Sequence, residues 1–561
     1  MPKKAGERRG IDVQTSSDRQ VEIQTECEGK EAQAAANPAT ADEQEPKKRS
    51  QADAVVEVLL EEATDVFTTP DGIPFVRLPV DKHHEIVPLN GADMKSWLGW
   101  KIYQKSGQVP GNSVLGAALN VVRGKAIAEV RELHNRVAPA EDGDGFWYDL
   151  SNENWQAVRV DSSGWRLVSD PPILFRRYQH QQPQVKPQSG GDFSRILEFV
   201  NVSEDKQVLF MVYVLSCFLP GIAHPVALFT GPKGSAKTTA AAIIRRLVDP
   251  SQIETFSYPS QKQEVIQKLS HNWMAIFDNI SSVPTWFSDV LCRASTGAGD
   301  SKRQLYSDDD DVIYSYRRCV GLTSITSAAD MPDLLDRSVT FELQRIGPQQ
   351  RLSEQDLFAR LDAAMPQILG GGLDVLAEAI RIKPDVELDE LPRMADFAEW
   401  GAAIAVALGY TQEQFMEAYE ADIKDRNRDV VESHPVGAAV KAFMQTQDKW
   451  EGTASELHAE LERIAATNRI DVESKQWPKA ANWVKRRLDE VSTDLQEIGI
   501  TIIHDRAAGS GDRIIRLSSH ADREHEDCLK LDHALAQLMD DDLIDDDLFD
   551  EIEFDLDLSA H

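Results

Sequence analysis

The stretch VALFTGPKGSAKTTAAAIIRRLV, residues 226–248, decides how the centre of this chain is built. It opens with a short apolar run of strand length, passes through a glycine-containing loop, and continues as an Ala/Ile/Leu-rich segment of helical character. Strand, loop and helix in that order form a cradle for a phosphate chain. Backbone N–H groups of the loop point inward, and the helix N-terminus places positive potential beneath them. Gly231 and Gly234 permit the backbone turns. The residues expected to line the cradle are Gly231, Pro232, Lys233, Gly234, Ser235, Ala236, Lys237, Thr238 and Thr239. Lys237 would reach the β- and γ-phosphates and the Thr238 hydroxyl would bind Mg²⁺, so ATP and Mg²⁺ are the expected cofactors. Ala236 departs from the usual G-x-x-x-x-G-K-[ST] pattern, which has its second glycine there.

A second acidic element should stand at the tip of another buried strand. NWMAIFDNI, residues 272–280, supplies it, with Asp278 lying 41 residues beyond Lys237. Asp278 is the expected Mg²⁺ partner through water. The next position, where a carboxylate base is common, is Asn279, whose amide can orient a water but cannot take its proton. The catalytic base is therefore unassigned.

With these motifs in place, residues 201–346 resemble the superfamily 3 helicase type of AAA+ ATPase. The resemblance extends to the helicase halves of poxvirus-type and phage-type primase-helicases, and within that group to ATP-binding proteins of phages and integrated mobile elements. GPKGSAKT and FDNIS match the first two motifs, including the Ser-Ala-Lys and Asp-Asn forms of the mobile-element group. The segment LCRASTGAGDSKRQLYSDDDDVIYSYRRCV resembles the third, where such helicases carry a β-hairpin directed into a central channel. That likeness implies DNA contact for Lys302 and Arg303, and less strongly for Arg317 and Arg318; the alternative is a solvated hairpin. CVGLTSI resembles the sensor strand with Thr323 in place of the usual asparagine, and MPDLLDRSVTFEL the segment bearing an arginine finger, implying that role for Arg337. The alternative for Arg337 is a surface salt bridge with Asp333 or Asp336. The acid pair and histidine motif of a primase centre are not found.

Outward from this core, composition divides the chain. Residues 1–52 are polar, nearly lack aromatics, and are expected to be disordered. Residues 53–192 read as a mixed α/β domain, with a helical stretch at 115–134, then FWYDL, WQAVRV and GWRLV as a small β-meander and 179–191 as a linker. Residues 193–347 form the expected ATPase core and 348–430 a helical lid or collar. Residues 431–520 read as a winged-helix-like domain, in which apolar positions at helical spacing precede a hairpin, ITIIHDR to DRIIRL. Its expected DNA contacts are Lys485, Arg486, Arg487 and Arg513, with Lys479, Arg506 and Arg516 nearby; protein contact is the alternative use of such a domain. The fold class is thus α/β: a P-loop AAA+ core, a β-containing N-terminal domain, a helical lid and a C-terminal winged helix.

The formal charge of −33 argues against nucleic-acid binding until its distribution is considered. Residues 540–557 hold 11 acids and no base, so much of the excess sits in the tail, residues 521–561. That tail alternates acids with Leu, Ile and Phe. It suits a docking segment for a protein partner, a cover for the protein's own DNA-binding surface, or a solubilising extension. Five scattered cysteines, Cys27, Cys217, Cys292, Cys319 and Cys528, form no C-x-x-C pair, and no apolar run reaches bilayer length. A cytoplasmic protein without membrane contact is expected. Two functions follow, with a defence or regulatory ATPase on the same scaffold as a third reading. One is an ATP-dependent DNA motor, a hexameric replicative helicase of a phage or mobile element. The other is an ATP-switched DNA-binding initiator or loader that recruits a partner and hydrolyses slowly or not at all.

Overall fold

The computed structural model describes residues 50–297, 300–303, 311–314, 317–324, 331–347, 349, 351–506 and 513–519. Helix α1 (Gln51–Glu62) precedes an antiparallel sheet of β1 (Asp65–Thr68), β2 (Pro74–Val80) and β3 (His83–Pro88), followed by α2 (Ala92–Ser106) and α3 (Asn112–Ala126). Leu59, Val76, Met94, Leu98, Ala118 and Val122 form the core between these helices and the sheet. The helix expected over 115–134 is shorter, because its last third finds other backbone partners. Thr68 donates to the Glu129 carbonyl at 2.8 Å and accepts from Arg131 N–H at 2.9 Å, which holds this segment alongside β1. A meander of β4 (Val137–Pro139), β5 (Phe146–Asp149), β6 (Gln156–Asp161) and β7 (Gly164–Ser169) follows, its last three strands being the three strings read from sequence.

Helix α4 (Gln207–Ser216) is buried at every residue from 209 to 216, which explains its nearly unbroken apolar run. Then come β8 (Val226–Thr230), α5 (Lys237–Val248), α6 (Lys262–His271), β9 (Met274–Phe277) and α7 (Thr285–Thr296). A hairpin of β10 (Asp300–Arg303) and β11 (Asp311–Tyr314) leads to β12 (Cys319–Thr323), α8 (Pro332–Leu335) and β13 (Ser338–Glu342). Strands β13, β8, β12 and β9 lie in that order, all parallel. Every residue of β8, β9 and β12 is buried, as expected for a parallel sheet covered on both faces.

Three helices follow: α9 (Glu354–Ile382), α10 (Ala395–Ala407) and α11 (Gln412–Ser433). The segment at 179–191 is not a free linker. It lies against α9, where the Gln188 N–H donates to the Pro366 carbonyl at 2.8 Å. A Cβ added at Gly370 would stand 1.7 Å from the Gln188 carbonyl oxygen, so bare backbone is what permits the approach. The last domain comprises α12 (Pro435–Met444), β14 (Lys449–Thr453), α13 (Ala454–Asn468), α14 (Ala481–Asp489), α15 (Ser492–Glu497), β15 (Ile500–Arg506) and β16 (Arg513–Ser519). Its antiparallel sheet has the order β14-β16-β15, so the hairpin read from sequence gains a third strand from the polar segment KWEGT. Disorder is expected of residues 1–52, but Gln51 and Ala52 belong to α1; residues 1–49 and the tail at 521–561 lie outside the described residues.

One buried ionic cluster joins the meander to the parallel sheet. Asp249, just past α5, accepts from Arg136 Nε at 3.0 Å and Arg245 Nη1 at 2.9 Å, with all three side chains fully buried. It also accepts the backbone N–H of Trp273 at 2.9 Å and of Met274 at 3.0 Å, where β9 begins. Burial alone would push its carboxyl up, but Arg245, Arg136 and the Met274 N–H hold it below the ordinary carboxylate range. Asp249→Asn would leave two buried guanidinium groups short of countercharge, at a cost of roughly 3–5 kcal/mol. Thermal unfolding should show a large drop for this variant and no shift for Glu378→Gln, which breaks the exposed Arg381–Glu378 pair.

Candidate functional site

Three chain segments meet at the carboxyl ends of neighbouring parallel strands, the usual place for a ligand on such a sheet. The loop from Gly231 to Ala236 follows β8, Asp278 and Asn279 follow β9, and Thr323 closes β12. Gly231 has φ 137° and Gly234 φ 82°, both in the region open to glycine. A side chain at Gly231 would collide with the Leu343 carbonyl at 2.3 Å, so this glycine also allows the loop to lie against the end of β13. Ala236, immediately before α5, is left-handed at φ 62° and ψ 32°. Alanine thus holds a conformation that costs an L-residue about 1–2 kcal/mol, at the position where glycine would adopt it freely.

The centre of the site is one carboxylate oxygen. The Thr238 hydroxyl donates to Asp278 Oδ1 at 2.9 Å, and the Thr323 hydroxyl donates to the same oxygen. Thr323 is fully buried and accepts the backbone N–H of Asn279 at 2.8 Å. Its hydroxyl is therefore a clamp that holds both the Asp278 side chain and the turn after it, in which Asn279 sits at φ 57°. Lys237 folds over the loop, its ammonium donating to the Gly231 carbonyl at 2.6 Å and the Pro232 carbonyl at 3.1 Å. Partial burial lowers its pKa, with Asp278 opposing that shift. The Ser235 hydroxyl is buried without a hydrogen-bond partner among the described residues, whereas Pro232, Lys233, Gly234 and Thr238 are exposed and Thr239 is half-buried. Thr238 Oγ1 and Asp278 Oδ1 are hard oxygen donors in direct contact, a pair that fits Mg²⁺ accompanied by water and phosphate.

Arg351, not singled out from sequence, stands beside the loop. Its Nη2 lies 3.7 Å from where a Cβ on Gly234 would be, and its Nε donates to the Ile346 carbonyl at 3.4 Å. No motif spacing marks it, because it reaches the loop only through the fold. Arg337 is not in this cluster; its guanidinium donates to the Asp333 carboxylate and carbonyl, both at 2.7 Å. Lys302 and Arg303 lie in β10, opposite Val312 and Asp311 of β11. Arg317 and Arg318 turn inward, donating to the Thr296 carbonyl at 3.2 Å and the Leu269 carbonyl at 2.9 Å.

In the last domain, Lys485 and Arg486 are exposed on α14, while Arg487 is held by Glu490 at 2.7 Å and by the Lys475 carbonyl. Arg513 pairs in register with Arg506 at the end of the β15–β16 hairpin where the chain passes from one strand to the other. Arg516 is engaged by Glu451 and Asp505, each at 2.8 Å. Lys479 donates to the Val472 carbonyl at 2.9 Å. Among the described residues no helix is long and apolar enough to cross a membrane.

The chain is therefore an α/β protein whose glycine-containing loop meets a carboxylate and two threonines at the edge of a parallel sheet. Residues 193–429 match the family described as actinomycete integrative conjugative element replication protein, and residues 436–528 match the C-terminal domain of the same family. Over more than half of its length the chain is thus similar to replication proteins of mobile elements. Solved structures that resemble it include the A form of the apo NrS-1 C-terminal region, at 11% identity and TM-score 0.40, covering 83% of this chain and 98% of that one. Another is SCCmec type IV Cch, described as an active helicase, at 13% identity and TM-score 0.41, covering 82% and 93%. No curated protein sequence matches the chain.

The left-handed Ala236 yields a direct test. Ala236→Gly should leave thermal stability within about 1 kcal/mol of the parent, since relief of strain and the added freedom of the unfolded chain offset each other. Ala236→Val places a β-branched residue at positive φ and should lower stability by more than about 2 kcal/mol. Equal melting curves for the two variants would contradict the observed backbone.

Proposed function

We propose that this protein is an ATP-dependent DNA motor of a mobile element, built on a P-loop AAA+ core and assembled as a ring, in the manner of superfamily 3 replicative helicases. The observation that carries this reading is the convergence of Thr238 and Thr323 on Asp278 beside a glycine-containing loop and its lysine. A phosphate chain entering the loop replaces the carbonyls now bonded to Lys237 as that lysine's partner, and the first N–H groups of α5 face it. Thr238 and Asp278 would hold Mg²⁺, which would supply charge neutralisation at the phosphates. Thr323 positions Asp278 and the Asn279 turn from beneath. Arg351 adds a second positive charge on the loop side. Arg337 reaches a neighbouring subunit's nucleotide once released from Asp333, and Lys302 and Arg303 present the β10–β11 hairpin to single-stranded DNA.

The last domain has the order helix, strand, three helices, two-stranded wing, with β14 completing the sheet, which supports a winged-helix reading. Lys485, Arg486 and Arg513 are then its duplex contacts, and the similarity to mobile-element replication proteins supports action at an origin. A second reading rests on Asn279. Asp278, already engaged by two hydroxyls, is the only carboxylate in the cluster described above, and an amide cannot accept the proton of an attacking water. On that reading the protein is a nucleotide-switched initiator or loader with slow turnover.

ATP hydrolysis by the purified protein, with and without single-stranded DNA, separates the two. The motor reading expects turnover that rises severalfold with DNA and is lost in Lys237→Ala; nucleotide binding without DNA-stimulated turnover would leave the switch. In either case Thr323→Val should lower turnover by about 10²-fold or more while changing nucleotide affinity much less, because the loop and Lys237 are untouched. An unchanged rate in that variant would remove Thr323 from the machinery.

A further inference from the structure

The last domain carries an exposed aromatic–cationic face on α14. On α14, Val484 and Leu488 point into the core, which turns Trp483, Lys485 and Arg486 outward. Trp483 is 44% exposed, and the Arg486 guanidinium stands over it at 5.5 Å. The acids of this helix are already engaged. Asp489 pairs with His504 at 2.9 Å, and Glu490 is held by Arg487 at 2.7 Å with Arg486 farther off at 3.6 Å. Among the described residues Lys485 forms no ion pair, so the outward face is net positive with an apolar centre.

The same chain carries the chemical complement. Residues 540–557 combine 11 acids and no base with Leu543, Ile544, Leu548, Phe549, Ile552, Phe554 and Leu556. Alternating acids and large apolar side chains match a surface where a tryptophan lies among cations. The segment is tethered to the domain that bears this surface, whose last described strand, β16, ends at Ser519. A tether of roughly 20 residues spans about 25 Å as a flexible chain and about 30 Å as a helix, comparable with the diameter of a domain this size. Tethering at that distance supplies an effective concentration on the order of millimolar, so even a weak contact would be occupied.

We propose that the acidic–apolar tail, residues 540–557, docks on the α14 face formed by Trp483, Lys485 and Arg486 and competes there with DNA. The docking stands on the charge and aromatic complementarity; the competition rests on the winged-helix reading above. DNA, with a far denser line of charge, displaces the tail when it is present and the tail excludes weaker anions when it is not.

The test uses the full chain, a chain ended after residue 520, and a labelled peptide of residues 538–561. The peptide should bind the shortened chain and lose about tenfold or more in affinity as salt rises from about 50 to about 300 mM. It should bind the full chain at least about tenfold more weakly, because the tethered copy already fills the site. Arg486→Glu and Trp483→Ala, each checked for an unchanged melting curve, should weaken peptide binding to the shortened chain by about tenfold. Absence of peptide binding to the shortened chain, or binding indifferent to both substitutions, overturns the docking. Duplex titration decides the competition separately: tighter DNA binding by the shortened chain supports it, and equal binding by the two chains overturns it. If neither chain binds DNA, the winged-helix reading fails together with the competition, while the peptide result still decides the docking.

Discussion

The Asp249 carboxylate is the constraint on which the site geometry depends. It sits where α5 ends and β9 begins, and it takes hydrogen bonds from a side chain of α5, from the backbone N–H groups of Trp273 and Met274 at the start of β9 and from Arg136 just before the meander. Helix α5 starts with Lys237 and Thr238, and β9 runs directly into Asp278. Clamping the far ends of these two elements sets how their near ends meet, which is the contact between Thr238 and Asp278. A charged cluster in a dry interior is not an efficient source of stability compared with apolar packing. What it supplies is direction, since hydrogen bonds to one carboxylate are satisfied in few arrangements, whereas packed methyl groups tolerate many.

The β-domain is therefore structurally continuous with the sheet that bears the loop. Arg136 donates to the carbonyls of Asp149, Gln182 and Pro250 besides its bond to Asp249, and the Tyr148 hydroxyl donates to the Val248 carbonyl at 3.0 Å. Burial pushes the Tyr148 phenol out of the titrating range, so this contact stays a neutral hydrogen bond. On the other side, the glycines of α9 admit the chain at 188–193 into direct backbone contact. The segment between β-domain and parallel sheet is held at both of its ends, which argues for one rigid support beneath the loop.

The distribution of charge separates the parts of the molecule by the work they suit. The interior ion cluster is closed to solvent, and its carboxylate is held by both guanidinium groups. At the sheet edge the polar groups are open to solvent on one side, with an ammonium resting on carbonyls that are weaker partners than phosphate oxygens would be. In the last domain most charges neutralise one another locally, so the cations of α14 stand out despite a strongly acidic chain. Whole-chain charge is a poor guide to binding because electrostatic recognition acts over about a Debye length, not over a whole polypeptide.

Much was legible in the sequence because it depends on local spacing. An apolar run before a glycine-containing loop and an amphipathic segment after it leave few alternatives to strand, turn and helix, and Lys237 and Thr238 follow from their place at the helix start. Asp278 was readable for the same reason, as the polar end of a strand that cannot continue into solvent. Short apolar strings separated by turn residues likewise marked β5, β6, β7, β15 and β16. Tertiary structure decided what depends on partners distant in sequence. It ended α3 early by offering Thr68 as a backbone partner, and it turned a Pro/Gly-rich segment from linker into a packed strand of chain against α9. It recruited the polar β14 into a sheet, tied Arg337 to Asp333, and brought Arg351 to the loop. It also made Thr323 a clamp on Asp278, since a hydroxyl has no direction until the fold supplies both its donor and its acceptor.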